Sequence, residues 1–370
     1  MSAHSSSSSS SDSSELLERN GPTYGISFTR AQADTLIQQY LNKSIISFEC
    51  IDTGYNNLIF FIDTTESIER YALKIGGRYW KKIKTEAEVK ALELLTKYTT
   101  IPVPKVLAYS SDRNNEYGVE WILMTRLPGI NMTKICENQQ LSFNAKKSII
   151  QDLVNYIEQM HFRIPRFNKI GAFKINEEIG TDLNQLGPWS SYEQFIRDRV
   201  QANAMDLNTD PVFAPVKDSM LNAIHEFDKL KFPSFTNLPF IFSHGDLDIQ
   251  NILISIDDPE SPHITGIVDW EWAGSFPCSE EYFTSYQYFL NNDDNVRNYF
   301  LEELEKRNIL TPRTIEQFSL IEKFNRFVTN LALWDLTDLV NREHPYVNKK
   351  LEKSRSIVQS VICELKNELK

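Results

Sequence analysis

From about Tyr24 the spacing of apolar residues marks out a series of short elements. In "ISFTRAQADTLIQQYL" apolar residues recur at helical intervals behind Thr29, a residue suited to capping a helix N-terminus, which predicts one helix. Three runs rich in β-branched and aromatic residues follow, "IISFEC", "NLIFFID" and "RYALKI", separated by turn residues as in an antiparallel meander. "TEAEVKALELLTKY" returns to helical spacing without Gly or Pro and is expected to open at Thr85. "IPVPKVLAYS" and "EWILMTRLPG" predict two more strands, the second ending at Pro128-Gly129. Five strands with one inserted helix predict a small lobe over residues 24–127.

Beyond the joint at Leu127-Pro128-Gly129 the pattern changes. "AKKSIIQDLVNYIEQMHF", "SYEQFIRDRVQANAM", "PVKDSMLNAIHEFDKL" and most of 294–370 have helical periodicity with few strand signals. The exception is "NILISIDDPESPHITGIVDWEWAG", which reads as a hairpin tipped by Asp and Pro. The expected fold class is therefore α+β and bilobal, with a five-stranded antiparallel lobe and a large, mainly helical lobe over 128–370. A cleft between unequal lobes is a favoured place for a ligand. Residues 1–23 carry a serine tract that cannot bury anything and is expected to be a disordered tail.

Composition narrows the classes of partner. A net charge of −11 argues against non-specific nucleic-acid binding, which needs a basic face. No apolar run approaches the roughly 20 residues needed to cross a bilayer, so no membrane partner is expected. The start of the chain lacks the apolar core of a signal peptide and has few early Arg for a transit peptide. The four cysteines, Cys50, Cys136, Cys278 and Cys363, are far apart and form no metal-binding spacing. Reduced thiols and a cytoplasmic location are the expectation. Nothing in the pattern fixes an oligomeric state.

The candidate chemistry lies in "FSHGDLDIQNILI", residues 242–254, where polar groups crowd one turn between two apolar runs. A polar β-turn alone would account for Gly, Asp and Asn there. Asp246 and Asn251, however, have the interval of the kinase catalytic loop, and Asp269 ends the next apolar strand. In a phosphoryl-transfer site one Asp takes or orients the substrate proton, while an Asn and a second Asp offer hard oxygen ligands to Mg²⁺. "YALKI" places Ala72 and Lys74 on one strand face, as in the A-x-K that leaves room for adenine and sends a lysine to the phosphates. Glu86 and Glu88 are both candidates to hold that lysine. Glu88 shares a helix face with Ala91, Leu92 and Leu95 and is the choice, whereas Glu86 lines up with Lys90 and Glu93 on a solvated face. "GGRYWKKIK" could touch phosphates, although a solvated loop is the commoner reading. His161, His225 and His263 have no partner at metal-ligand spacing.

Together, "SHGDLDIQNILI", "ITGIVDWEWAG", "TIPVPKVLAY" and "WILMTRLPG" resemble the aminoglycoside phosphotransferase family of the protein-kinase-like superfamily, most of all its fungal members. Choline kinases are more distant relatives. The resemblance runs from about Tyr24 to the final helices. It implies transfer of the γ-phosphoryl group of ATP or GTP, with Mg²⁺, to a hydroxyl of a small molecule. Asp246 would be the base, Asn251 and Asp269 the metal ligands, and Lys74 with Glu88 the phosphate clamp. His244 would orient the loop, and the backbone from Met124 to Leu127 would meet the purine. The turn "DTGYNNL" is similar to the family's short G-x-x-N turn, with Gly54 and Asn57 at its ends. Two departures stand out: Asp248-Ile249-Gln250 where relatives often show His-Pro-Gly, and Trp270-Glu271 after Asp269. Asp335 and Asp338, on a late helix, would be placed to hold an amine or hydroxyl, although packing with surface carboxylates is the plainer reading. The absence of an activation segment weighs against a protein substrate. A nucleotide-binding pseudokinase serving as a scaffold is the alternative.

Overall fold

The computed structural model describes residues 21–51, 55–65, 69–138, 140–235, 237–291, 293–337, 339, 342 and 344–369. Gly54 and Asp338 lie outside these. By its contacts the chain forms two compact units. The first comprises Pro22–Pro188 and Pro239–Thr311, and the second Trp189–Leu238 with the chain from Pro312 onward.

The first unit opens with helix α1 (Arg30–Leu41), whose N-terminus is closed by Thr29 and Gln32 in a reciprocal capping box. Strands β1 (Ile45–Ile51), β2 (Asn57–Thr64) and β3 (Arg70–Gly76) follow, then α2 (Ile83–Tyr98), β4 (Val106–Ser110) and β5 (Trp121–Thr125). The five strands form one antiparallel sheet in the order β1-β2-β3-β5-β4. The strand period of two sends Tyr71, Leu73 and Ile75 of β3 to one face, where they pack with Leu36, Ile37, Phe60, Ile62 and Leu123. The opposite face carries Ala72 beside Val89, Ile122 and Met124.

Helix α2 begins at Ile83, so Thr85 lies inside it and is not its cap. The cap residue Lys82 makes no side-chain cap bond, and a remote carboxylate does the work instead. Glu120, fully buried, accepts from the Lys82 amide at 2.9 Å and from the Thr85 hydroxyl at 2.7 Å. An anion there suits the positive end of the helix dipole.

The rest of the unit contains more strand than its periodicity suggests. After β6 (Ile130–Asn131), α3 (Met132–Asn138) and α4 (Phe143–Phe162) come β7 (Gly171–Lys174) and β8 (Glu177–Ile179). Two helices of the second unit intervene in the chain, α5 (Tyr192–Thr209) and α6 (Lys217–Asp228). Strands β9 (Phe240–Ser243), β10 (Ile252–Ser255), β11 (His263–Ile267) and β12 (Gly274–Pro277) follow, then α7 (Glu281–Thr284), α8 (Gln287–Asn291) and α9 (Asp294–Lys306). The expected hairpin is β10–β11, extended to three strands by β6. A four-stranded sheet, β8-β7-β12-β9, was not expected. Its strands are three or four residues long and include "GAFK" and "GSFP", too short for alternation and carrying turn-forming residues.

In the second unit α10 (Phe318–Thr329) and α11 (Pro345–Glu368) join α5 and α6. Its core is aromatic: Phe227 stacks on Phe327 and Phe232 on Phe324, with ring centres 4.7 and 4.3 Å apart. Asp335 sits in a short helical turn, Trp334–Leu336, and pairs with Lys350. Its side chain is only 13% exposed, so it is packed and ion-paired and not the surface carboxylate of a late helix that was expected.

Candidate active site

Two chain segments pair twice and so build the floor of the site. β10 pairs with β11, and β9 pairs with β12, in two different sheets. Residues 244–251 and 268–273 are thereby held opposite each other between the two pairings. The Val268 amide donates to the Asn251 carbonyl at 3.0 Å, which sets Asn251 beside the residue preceding Asp269. Gly245 closes the other end. Its φ is +81°, and a Cβ there would meet the Trp272 carbonyl oxygen at 2.6 Å, so only glycine fits.

His244 is fully buried and bridges the two loops. Its Nδ1 accepts from the Asp246 amide at 3.3 Å, and its Nε2 lies 3.1 Å from the Val268 carbonyl. A ring that accepts at Nδ1 and faces a carbonyl at Nε2 carries its proton on Nε2. Burial lowers its pKa to about 4, so it is neutral at physiological pH.

Further bonds from residues 281–288 hold the loop of residues 244–251. Glu281 accepts from the Ser243 hydroxyl and from the Gly245 amide, Ser285 accepts from the Leu247 amide at 2.9 Å, and Leu247 accepts from the Tyr286 amide at 2.7 Å. Asp248 is buried and accepts from the Ile249 and Tyr288 amides. It acts as a structural anchor for the loop. Asn251 donates from Nδ2 to the Asp246 carbonyl at 2.8 Å and to its carboxylate at 3.3 Å, and Gln250 donates to the other carboxylate oxygen at 3.3 Å. Burial, with the charge of Asp269 adding to it, raises Asp246 to about 7.

The lysine side meets this floor. Lys74 Nζ lies 2.6 Å from Glu88, 2.7 Å from Asp269 and 3.0 Å from Glu271. Burial alone would lower the Lys74 pKa, but Asp269, Glu271 and Glu88 outweigh it and hold it well above the usual value. Burial raises Glu88 to about 7 against the pull of Lys74. Asp269 is likewise raised by burial. Glu271 runs the other way: despite burial, Lys74 and Lys84 hold it at about 2. Glu86 is turned elsewhere, accepting from the Ser111 hydroxyl at 3.2 Å, and its side chain is only 12% exposed. It is not on a solvated face.

The sequence profile of the phosphotransferase enzyme family (APH) matches residues 47–315, most of the chain and all of the site just described. The chain belongs to this family. This phosphotransferase is also similar to two proteins called altered inheritance of mitochondria protein 9, mitochondrial. The one from Meyerozyma guilliermondii is 25% identical over 147 residues, covering 38% of this chain and 23% of that protein. The one from Debaryomyces hansenii is 27% identical over 162 residues, covering 41% and 25%. The match thus spans about a quarter of the length of these relatives. Among solved structures, the GDP and kanamycin complex of APH(2")-IIia superposes with a TM-score of 0.53 at 14% identity, over 90% of this chain and 99% of that one. Spectinomycin phosphotransferase APH(9)-Ia, solved with ADP and spectinomycin, gives 0.52 at 14%, over 91% and 99%. These likenesses support the α+β, protein-kinase-like fold.

Of the residues singled out in the sequence, Lys74, Glu88 and Asp269 converge on one ammonium group, and Asp246 and Asn251 are bonded to each other. Ala72 and Met124 are cross-strand partners on the α2 face of the sheet. Leu127 packs over Gly266, where a Cβ would meet its Cδ1 at 2.7 Å. The amides of Thr125 and Arg126 already donate to Lys105 and Arg70 carbonyls. Asn57 is buried and bonded to Lys84 and Glu271. Lys84, at the end of the run expected to be a solvated loop, and Glu271, noted only as a departure after Asp269, are both buried in the site, a role not expected of them from the sequence. Lys84 lies one helical turn before Glu88, so the periodicity that singled out Glu88 could also have found it. Glu271 between Trp270 and Trp272 offered no period to read.

The donor set suits Mg²⁺. Glu88, Asp269 and Glu271 cluster within 4.8 Å of one another, but only Asp269 is open, its side chain 37% exposed against 3% and 1%. With its amide nitrogen committed to Asp246, Asn251 can offer only its side-chain oxygen to a metal. Asp269 and Asn251 are thus the hard oxygen donors that remain available. Among the described residues no helix is long and apolar enough to cross a membrane.

Proposed function

We propose that this phosphotransferase moves the γ-phosphoryl group of ATP or GTP to a hydroxyl of a small molecule. In this reading residues 24–127 carry the nucleotide and 128–370 the acceptor. The hydroxyl oxygen forms a bond to the γ-phosphorus as the bond to the β,γ-bridging oxygen breaks, and the nucleoside diphosphate leaves. Asp246 receives the hydroxyl proton, and its raised pKa of about 7 suits a base working near neutrality. Lys74, fixed by Glu88, places a positive charge for the phosphates to meet. Mg²⁺ held by Asn251 and Asp269 would neutralise phosphate charge. The purine would lie along Ala72 and the Met124–Leu127 backbone, with Asn57 at the end of the phosphate turn.

One observation carries this reading. A buried lysine touches both a helix glutamate and the strand-end Asp269, and His244 ties Asp269's neighbour Val268 to the loop bearing Asp246. The kanamycin and spectinomycin of the solved neighbours are those proteins' ligands, and they place amine-bearing alcohols in a first acceptor panel. The test is nucleotide consumption with sugars, amino alcohols and aminoglycosides, beside thermal shifts with Mg-ATP and with ATP alone. Mg-dependent stabilisation with acceptor-dependent diphosphate release is expected. Mg-dependent binding without turnover on any acceptor would favour the scaffold alternative, and transfer to peptides would overturn the small-molecule assignment.

A further inference from the structure

Lys84 and Glu271 face each other through one carboxamide. Lys84, 1% exposed, donates from Nζ to Asn57 Oδ1 at 2.9 Å and to the Asn56 carbonyl at 3.2 Å. Asn57 Nδ2 donates to Glu271 Oε2 at 2.6 Å, and Asn56 Nδ2 donates to Glu271 Oε1 at 2.9 Å. Glu271 Oε2 also meets Lys74 Nζ at 3.0 Å. An ammonium can only donate and a carboxylate can only accept, so Asn57 fits between Lys84 and Glu271 in one orientation alone. Both Glu271 oxygens are engaged inside the protein and the side chain is closed to solvent, so it acts through these neighbours.

We infer that Glu271 and Lys84 are positioning residues. Through Asn57 they latch the start of β2 onto the segment bearing Asp269, and Glu271 steadies Lys74 at the same time. The chemistry of the arrangement explains why both charges are needed. Lys74 alone faces three carboxylates, and a second buried cation offsets the excess. Removing either charge leaves the other partly uncompensated and loosens the start of β2. The consequence for nucleotide binding rests on the phosphotransfer reading, but the latch itself does not.

Three variants test it: Glu271→Gln, Lys84→Met and Asn57→Ala. The last removes the Asn57 bridge while leaving the Asn56 contacts and every charge in place, so it guards against a folding failure in the first two. Hydrogen exchange of the amides of residues 56–59 in nucleotide-free protein should rise about tenfold or more in each, the size of one lost charge-assisted bond. Amides of the middle of α2 should keep their protection. Unchanged exchange at 56–59 in Asn57→Ala overturns the latch. With Mg-ATP, Lys84→Met should raise the nucleotide KM about tenfold with a smaller change in kcat, as expected when positioning of a binding contact rather than a reacting group is lost. A fall in kcat at unchanged KM overturns the positioning role. Glu271→Gln combined with Asn57→Ala should bind no more weakly than the worse single variant, and multiplied losses would overturn the shared chain. If the wild type binds no Mg-ATP, the phosphotransfer reading fails, and exchange in the nucleotide-free protein still decides the latch.

Discussion

Lys74 and the loop carrying Asp246 are neighbours held by different forces. Around Lys74 the bonds are ionic and buried: three carboxylates on one ammonium, with Lys84 behind them. Around the loop they are mostly neutral and directional, from the His244 ring, the Ser285 hydroxyl and paired backbone groups, with Glu281 and Asp248 as anchors. Buried charges lose much of their solvation, so their arrangement tolerates no missing partner. A set of separate hydrogen bonds loses one contribution at a time. The lysine side should therefore fail as a unit, and the loop should fail by degrees.

The sharpest break is Lys74→Met, which leaves Glu88, Asp269 and Glu271 without their shared cation. A cost of about 3–5 kcal/mol is expected in urea unfolding, together with loss of phosphotransfer. A variant as stable as the wild type would refute the picture of a mutually dependent ion cluster. Asp246→Ala should cut turnover about a thousandfold, within the range for a general base, while Mg-nucleotide affinity by calorimetry stays near wild type. Full turnover in that variant would remove Asp246 from its role.

The loop side offers smaller effects. His244 has a folded pKa of about 4 against an ordinary value of 6.5. As pH falls the unfolded chain takes up the proton first, so stability is fully present above about pH 6.5 and is lost progressively down to about 4. Between pH 7 and 5 this single residue should account for about 2 kcal/mol of lost stability. His244→Asn should flatten that part of the unfolding-versus-pH curve, and an unaltered slope would assign the pH dependence elsewhere. Ser285→Ala should cost about 1–3 kcal/mol by leaving the Leu247 amide unpaired, with kcat falling and nucleotide affinity unchanged. Equal losses in Lys74→Met and Ser285→Ala would erase the contrast between the two sides.

Local pattern was enough wherever the signal itself lies within one element. The apolar face of β3, the capping of α1 at Thr29 and the inward face of Glu88 all follow from periods of two or 3.6 within a few residues. The D-x-x-x-x-N interval and the strand-end Asp269 were legible for the same reason: they belong to short loops flanked by apolar runs. What the sequence left open depends on pairings between distant segments. The β8-β7-β12-β9 sheet joins runs too short to show alternation, so only the partner strand reveals them. The helix start at Ile83 instead of Thr85 follows from Glu120, a carboxylate reached only through the folded sheet. Lys84 and Glu271 are nearly two hundred residues apart, and as isolated residues each belongs on a solvated surface. Only the tertiary structure buries both charges, because only there does each find groups to offset the water it gives up.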